Sequence, residues 1–167
     1  MVEEGVEVPP RRQRVAAYAL LVRDGTILLA RLSPQIPFQG WTLPGGGVDH
    51  GEHPRDALRR EIYEESGLHA EPGRIIDVYS THFTGARPDG RVEDYHGIGL
   101  IFDAEILAES RDVEPHVTDV GGSTDLAAWV PLDEARRLSL SGTAKHALTL
   151  LDGTAPRVGA VERGRPR

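Results

Sequence analysis

Apolar residues fall along the chain in short blocks separated by Gly, Pro and Asp. The first block, 14–23, is mostly apolar and ends at Asp24-Gly25, a dipeptide that favours a two-residue hairpin turn into 26–32. Two prolines make 33–40 a loop, and Trp41-Thr42-Leu43 reads as a short strand stopped by Pro44. Pro44 and the glycines Gly45-Gly46-Gly47 then suggest a tight turn. A helix of about three turns follows, with Pro54 at its first position and Gly67 just past its end. Beyond it, 74–84 reads as a strand with Ile75, Ile76, Val78, Tyr79 and Phe83 as its apolar candidates, and 84–94 as a polar loop. The strand at 95–106 alternates through Ile98, Leu100 and Phe102 and is loosened by Gly97 and Gly99.

The segment 108–124, acidic and then rich in glycine, predicts a long surface loop. A strand at 126–130 leads into a helix that starts at Pro131 with two acids in its first turn. Ser141 is placed to cap a last helix that ends near Leu151, with Leu148 and Leu151 on one face. Strands in mixed order with three helices predict an α/β (α+β) fold, a sheet sandwiched between helices.

Composition narrows the function classes. A chain of 167 residues suits one domain, expected over 14–152, with loose polar tails at 1–13 and 153–167. A net charge of −7 and a pI near 5.5 argue against a surface that coats a nucleic acid polymer, because such surfaces are basic. With no Cys there is no disulfide framework, no thiolate nucleophile and no Cys-ligated zinc. The N-terminus lacks the apolar core of a signal peptide, and the longest apolar run, 15–22, is strand-sized, so the expectation is a cytoplasmic protein that does not enter a membrane.

The helix at 53–66 carries the chemistry. Glu61, Glu64 and Glu65 stand at i, i+3 and i+4 and share one arc of it. Like charges at this spacing repel by about a few tenths of a kcal/mol per pair, and Glu64 and Glu65 also sit at the negative end of the helix dipole. Arg60 can offset Glu64 alone at i+4. Glu-Glu pairs are ordinary on a solvated surface helix, which is the bland reading of the geometry. Acids gathered at the wrong end of a helix otherwise serve an external cation, and carboxylate oxygens suit Mg²⁺ or Mn²⁺.

The spacing of the whole stretch decides between the two. Gly46, Glu52, Arg60-Glu61-Ile62, Glu64-Glu65 and Gly67-Leu68 reproduce every fixed position of the Nudix box, G-x5-E-x7-R-E-U-x-E-E-x-G-U with U aliphatic. A chance match in a given window is on the order of one in 10⁹. The chain therefore resembles a Nudix hydrolase. The resemblance implies the Nudix fold, with the box as a loop–helix–loop, and a metal-dependent attack of water on a pyrophosphate-type linkage in a nucleoside diphosphate joined to another moiety X. Glu61, Glu64 and Glu65 match the metal ligands of the family, and Gly45 is the glycine before the box whose carbonyl binds metal in many members. Glu52 and Arg60 match a pair that ties the loop to the helix, with Glu52 also able to reach the metal shell. His53 stands where Ser or Thr is common, which weakens the cap.

The resemblance leaves the general base open. Glu64 is the first choice, and Asp125, Glu93, Asp94 and Asp119 are outside candidates, each of which reads more readily as a solvated loop acid. For substrate contacts, Arg31 at the end of the hairpin would face the box, and His82 and His96 flank the 84–94 loop, although a lone His in a strand is more often structural and an Arg there reads also as a surface charge. The expected partner is a small nucleotide-type molecule, and a homodimer is compatible with the family. Thr84 stands where ADP-ribose hydrolases tend to carry Pro, so triphosphates, ADP-sugars and dinucleotides all stay open as substrates. A Nudix-fold sensor that binds a nucleotide without cleaving it is the alternative class, although sensors usually lose box acids and this chain keeps them. An isomerase of the isoprenyl-diphosphate type needs a catalytic Cys that this chain lacks.

Overall fold

The computed structural model describes residues 8–87 and 89–153, so of the tails expected at 1–13 and 153–167, residues 1–7 and 154–167 lie outside the described residues. Two four-stranded sheets are flanked by helices. In chain order the elements are β1 (Arg11–Leu20), β2 (Val22–Arg23), β3 (Thr26–Leu32), β4 (Trp41–Thr42), β5 (Gly45–Gly47) and α1 (Pro54–Ser66). They continue as β6 (Ala70–Ala86), β7 (Val92–Ile106), a 3-10 turn at Ala108–Ser110, β8 (Thr124–Pro131), α2 (Leu132–Ala135) and α3 (Gly142–Leu151).

The first sheet runs β5-β1-β7-β6, with β1 parallel to β7 and the other pairs antiparallel. In the second, β3 pairs with β2 and β4 and, over its whole length, with β8. Alternate residues of the strands feed two cores. Ala17, Ala19, Leu21, Leu28 and Phe102 bury against Leu58 and Ile62 of α1. Leu20, Ile27, Leu29, Ile101 and Val130 bury against Ala135 of α2 and Ala144, Ala147 and Leu148 of α3. A sheet covered on both faces explains why its strands read as apolar runs more than as alternating ones.

Several expectations need correction. The Asp24-Gly25 turn exists, with φ of 48° and 73°, but it closes only the short β2–β3 pair. Residues 11–20 belong to the other sheet, and β1 begins three residues inside the segment expected to be a loose tail. Gly45–Gly47 is an edge strand, not a tight turn. Most of the expected 84–94 loop is the end of a long β6–β7 hairpin, paired down to Ala86 and Val92. Since β6 is the outer strand of its sheet, Ile75, Val78 and Phe83 are exposed, while Ile76 and Tyr79 pack on the α3 side. On α3, Leu148 is buried but Leu151 is exposed.

Helix α1 has the caps the sequence suggests. His53 Nδ1 accepts from Arg55 N at 3.2 Å, so this residue does cap the helix. Gly67 adopts the left-handed conformation at φ 67° and donates from N to Tyr63 O at 2.8 Å. A Cβ at Gly67 would also fall 2.5 Å from the His116 ring. Gly67→Ala is therefore expected to cost about 1–2 kcal/mol of stability. Urea denaturation checks this, and an unshifted midpoint would show that neither the backbone conformation nor the His116 contact matters.

Candidate active site

The site is built where the end of α1 meets the edge strand β5. Leu58, Ile62 and Glu65 follow one another at i, i+4 and i+7, so the stripe that buries α1 carries a carboxylate at its last position. Glu65 is 4% exposed. Its Oε2 accepts from Gly45 N at 2.9 Å and its Oε1 from Ser123 Oγ at 3.5 Å. Burial pushes its carboxyl from the ordinary value near 4.5 up to about 8, against the Gly45 hydrogen bond and with added repulsion from Glu61 and Glu64.

Arg60 organises the neighbouring acids. Its Nε and Nη2 donate to the two oxygens of Glu52 at 3.0 and 2.9 Å, the bidentate geometry that suits a guanidinium. Nη1 donates to Glu61 Oε1 at 2.8 Å and reaches Glu64 Oε2 at 3.5 Å, and Nη2 also donates to Gly47 O at 3.2 Å. One side chain thus ties the loop, the glycine strand and the helix together. The Arg60 hydrogen bond, with a second from Asp49 N, holds the Glu52 carboxyl down to about 2. Glu61 shifts the other way, because its burial outweighs Arg60.

The C-terminal end of α1 is closed by the segment before β8. Thr118 N and Asp119 N donate to Glu64 O at 2.8 and 3.1 Å, Thr118 Oγ1 donates to Tyr63 O at 3.0 Å, and His116 N donates to Ser66 O at 2.9 Å. These donors satisfy carbonyls that a helix end leaves bare. They also offset the dipole that disfavours Glu64 and Glu65. Gln35 and Ser33 anchor the same segment through Gly121 O and Gly122 O.

The donor set suits a hard divalent cation. It consists of carboxylates, one of them buried without a cationic partner in contact, and a Cβ at Gly46 would fall 2.6 Å from the Glu61 carboxylate. Among the described residues, however, no three His, Cys, Asp or Glu side chains already stand in position to share one ion. Glu61 and Glu64 lean on Arg60 while Glu65 turns to Gly45 N, as expected of like charges that have separate partners.

The other sequence candidates are engaged elsewhere. Arg31 makes a two-point pair with Asp125 across β3 and β8, at 2.8 and 3.2 Å, and that hydrogen bond lowers the Asp125 carboxyl. His82 and His96 are cross-strand partners whose rings lie 5.8 Å apart. His82 bonds Asp94 at 2.5 Å, and His96 bonds Gln13 and Ser80 at 2.9 and 3.0 Å. With Arg11 and Arg12 they line a separate cavity of about 430 Å³. Glu93 faces Arg12 and Arg87. Asp119 meets Glu64 only through its backbone N–H.

Sequence reasoning missed the opposite face of β5. Gly47, Gly46 and Gly45 pair with Ala16, Ala17 and Tyr18. A Cβ at Gly47 would fall 2.5 Å from the Arg14 guanidinium, and one at Gly45 or Gly99 would fall 3.0 or 3.2 Å from the Tyr18 ring. Tyr95 lies over Gly97 in the same way, 3.1 Å from where its Cβ would be. Arg14, Tyr18, Tyr79, Tyr95 and Thr143 thereby line one small cleft over a glycine floor. The available signal was strand parity, since Arg14, Ala16 and Tyr18 alternate with the residues that face α1.

The buried Glu65 carboxyl fixes a pH dependence. Between about 4.5 and about 8 the folded protein holds a proton there that the unfolded chain has released, so this group makes stability fall as pH rises through that window. With divalent metal chelated, the melting temperature is expected to fall over this range for wild type and to flatten in Glu65→Gln. An equal slope in the variant would place the buried proton elsewhere.

Comparison with known proteins agrees with the geometry. The NUDIX domain model matches residues 10–151. The chain is 33% identical over 147 residues to "Nucleoside triphosphatase NudI" of Salmonella paratyphi B, covering 83% of this chain and 96% of that protein. Among solved structures, a MutT NUDIX hydrolase from Burkholderia pseudomallei superimposes with a TM-score of 0.57 at 27% identity, over 82% of this chain and 96% of its own. A NUDIX hydrolase from Nitrosomonas europaea, 21% identical, shares the fold with a TM-score of 0.64 over 92% of this chain and all of its own. With its box intact on that fold, the chain belongs to the Nudix family and is a Nudix-type pyrophosphohydrolase.

Proposed function

We propose that the enzyme uses Mg²⁺ or Mn²⁺ to hydrolyse a nucleoside diphosphate linked to a further moiety, taking up the substrate at the β5 edge. The observation that carries this reading is the Glu65 carboxylate, buried without a cationic partner in contact beside Glu61 and Glu64. Glu61, Glu64, Glu65 and the carbonyl of Gly45 would hold the cation. When bound, it supplies charge neutralisation at the phosphate oxygens and makes phosphorus more electrophilic. Arg60 and Glu52 keep the loop and the helix in register, so the acids meet the substrate in one orientation.

Glu64 is the most exposed and the most loosely held of the three, which suits a general base. It accepts a proton from water as the water oxygen bonds to phosphorus, and the bridging oxygen departs with the leaving phosphate. Addition of water across the anhydride gives a nucleoside monophosphate and phosphorylated X, or pyrophosphate where the substrate is a triphosphate. Similarity to a nucleoside triphosphatase makes a nucleoside triphosphate the first substrate to try.

Glu64→Gln and Glu65→Gln are each expected to lower kcat/KM by at least about 10²-fold, beyond the 10–100-fold typical of groups one step removed from a metal. The measurement is product release from a panel of triphosphates, ADP-sugars and dinucleotides, with and without Mg²⁺. Near-normal turnover in both variants would remove the assignment.

A further inference from the structure

We propose that Arg14 is the substrate-phosphate contact of this site, holding the part of the phosphate chain that lies away from the three glutamates. The inference rests on the proposed nucleotide hydrolysis and adds a residue to it. Arg14 lies in the first half of β1, exposed, with its guanidinium over Gly47. Among the described residues it makes no hydrogen bond and no ion pair within 4 Å, although Glu61 and Tyr18 are both within its electrostatic reach. Its N–H donors are therefore available to a ligand.

The geometry explains why this place suits a phosphate chain. Gly46 presents its bare α-carbon to the Glu61 carboxylate, and the next residue, Gly47, presents its own to Arg14. Successive residues of a strand point to opposite faces, so the acids and the arginine lie on the two sides of β5. β5 is three residues long, has no side chains and is the edge of its sheet. A chain of phosphates crossing that edge meets the acidic, cation-binding side at one end and a planar donor fork at the other. Arg31 is the weaker candidate for this role, because its Nε and Nη2 are already held by Asp125 across β3 and β8.

Gly47 provides a second handle on the same residue. Its φ lies outside the left-handed range, and an added Cβ would first meet the far end of the flexible Arg14 side chain. Gly47→Ala should therefore fold and push the guanidinium aside.

The test measures binding of inorganic tripolyphosphate with Mg²⁺, alongside KM and kcat for a nucleoside triphosphate, in wild type, Arg14→Gln, Arg14→Lys, Gly47→Ala and Gly47→Ala/Arg14→Gln. Arg14→Gln is expected to weaken tripolyphosphate binding and raise KM about tenfold, with a smaller change in kcat, and Arg14→Lys to recover part of the loss. Gly47→Ala should weaken binding in the same direction, and the double variant should be no worse than Arg14→Gln, because both act through one side chain. Binding by Arg14→Gln within twofold of wild type, or losses that multiply in the double variant, would overturn the proposal. If wild type turns over no nucleotide yet binds tripolyphosphate through Arg14, the hydrolytic reading falls and the phosphate site stands. If wild type binds no tripolyphosphate, the proposal is wrong.

Discussion

Three carboxylates brought to one end of one helix are the constraint around which this protein is arranged. Like charges at this spacing repel by about a few tenths of a kcal/mol per pair on a solvated helix and by more where burial lowers the dielectric, and the end of the helix dipole adds up to about 1 kcal/mol. The structure offsets this in three separate ways. Arg60 supplies a fixed positive charge shared among Glu52, Glu61 and Glu64. The segment 116–119 covers the helix carbonyls with backbone and hydroxyl donors. Glu65, which makes no bond to Arg60, stands as a buried carboxyl whose affinity for a proton is raised. Each device acts on a different group, so the acids stay close together without collapsing onto a single arginine.

The glycines of β5 serve the same end. A strand of three glycines has poor intrinsic propensity, since it forfeits side-chain packing and costs more backbone entropy. Here each missing side chain leaves room for a neighbour: the β1 backbone at Ala17–Tyr18 beside Gly45, the Glu61 carboxylate on Gly46 and the Arg14 guanidinium on Gly47. The same substitution of space for side chain recurs on β7, where Gly97 and Gly99 lie under Tyr95 and Tyr18. The sheet is thinned where side chains of β1 and α1 approach one backbone.

How much of this was legible in the sequence depends on whether the deciding interaction is local. Helix α1 could be placed from Pro54 and Gly67, because caps are properties of a few adjacent residues. The Glu52–Arg60 clamp followed from the box. The fate of residues 14–23 could not be read in this way. Asp24-Gly25 specifies a turn, but whether the chain before it stays with β3 or crosses to a second sheet is settled by pairing with β7, some 80 residues away in register Val15↔Ile98. The glycine run looked like a turn because glycine's freedom is a local signal, whereas its use here is to admit side chains from β1 and α1. The burial of Glu65 was readable in principle, since it continues the Leu58–Ile62 stripe. Asp125 is the reverse case, for its capture of Arg31 depends on the β3–β8 register.

Charge balance links the two sides of the β5 edge. Glu52, Glu61, Glu64 and Glu65 face Arg60 and Arg14, so with every acid ionised the edge is left with two negative charges, the complement of one divalent cation. Without that cation a polyphosphate would meet net repulsion, softened only where Glu65 keeps its proton. A divalent cation would bring these groups to neutrality only with Arg14 counted, and among the described residues Arg14 has no carboxylate partner within ion-pairing distance. On the proposed reading, ion and substrate would be coupled through electrostatics, each making the other's approach more favourable.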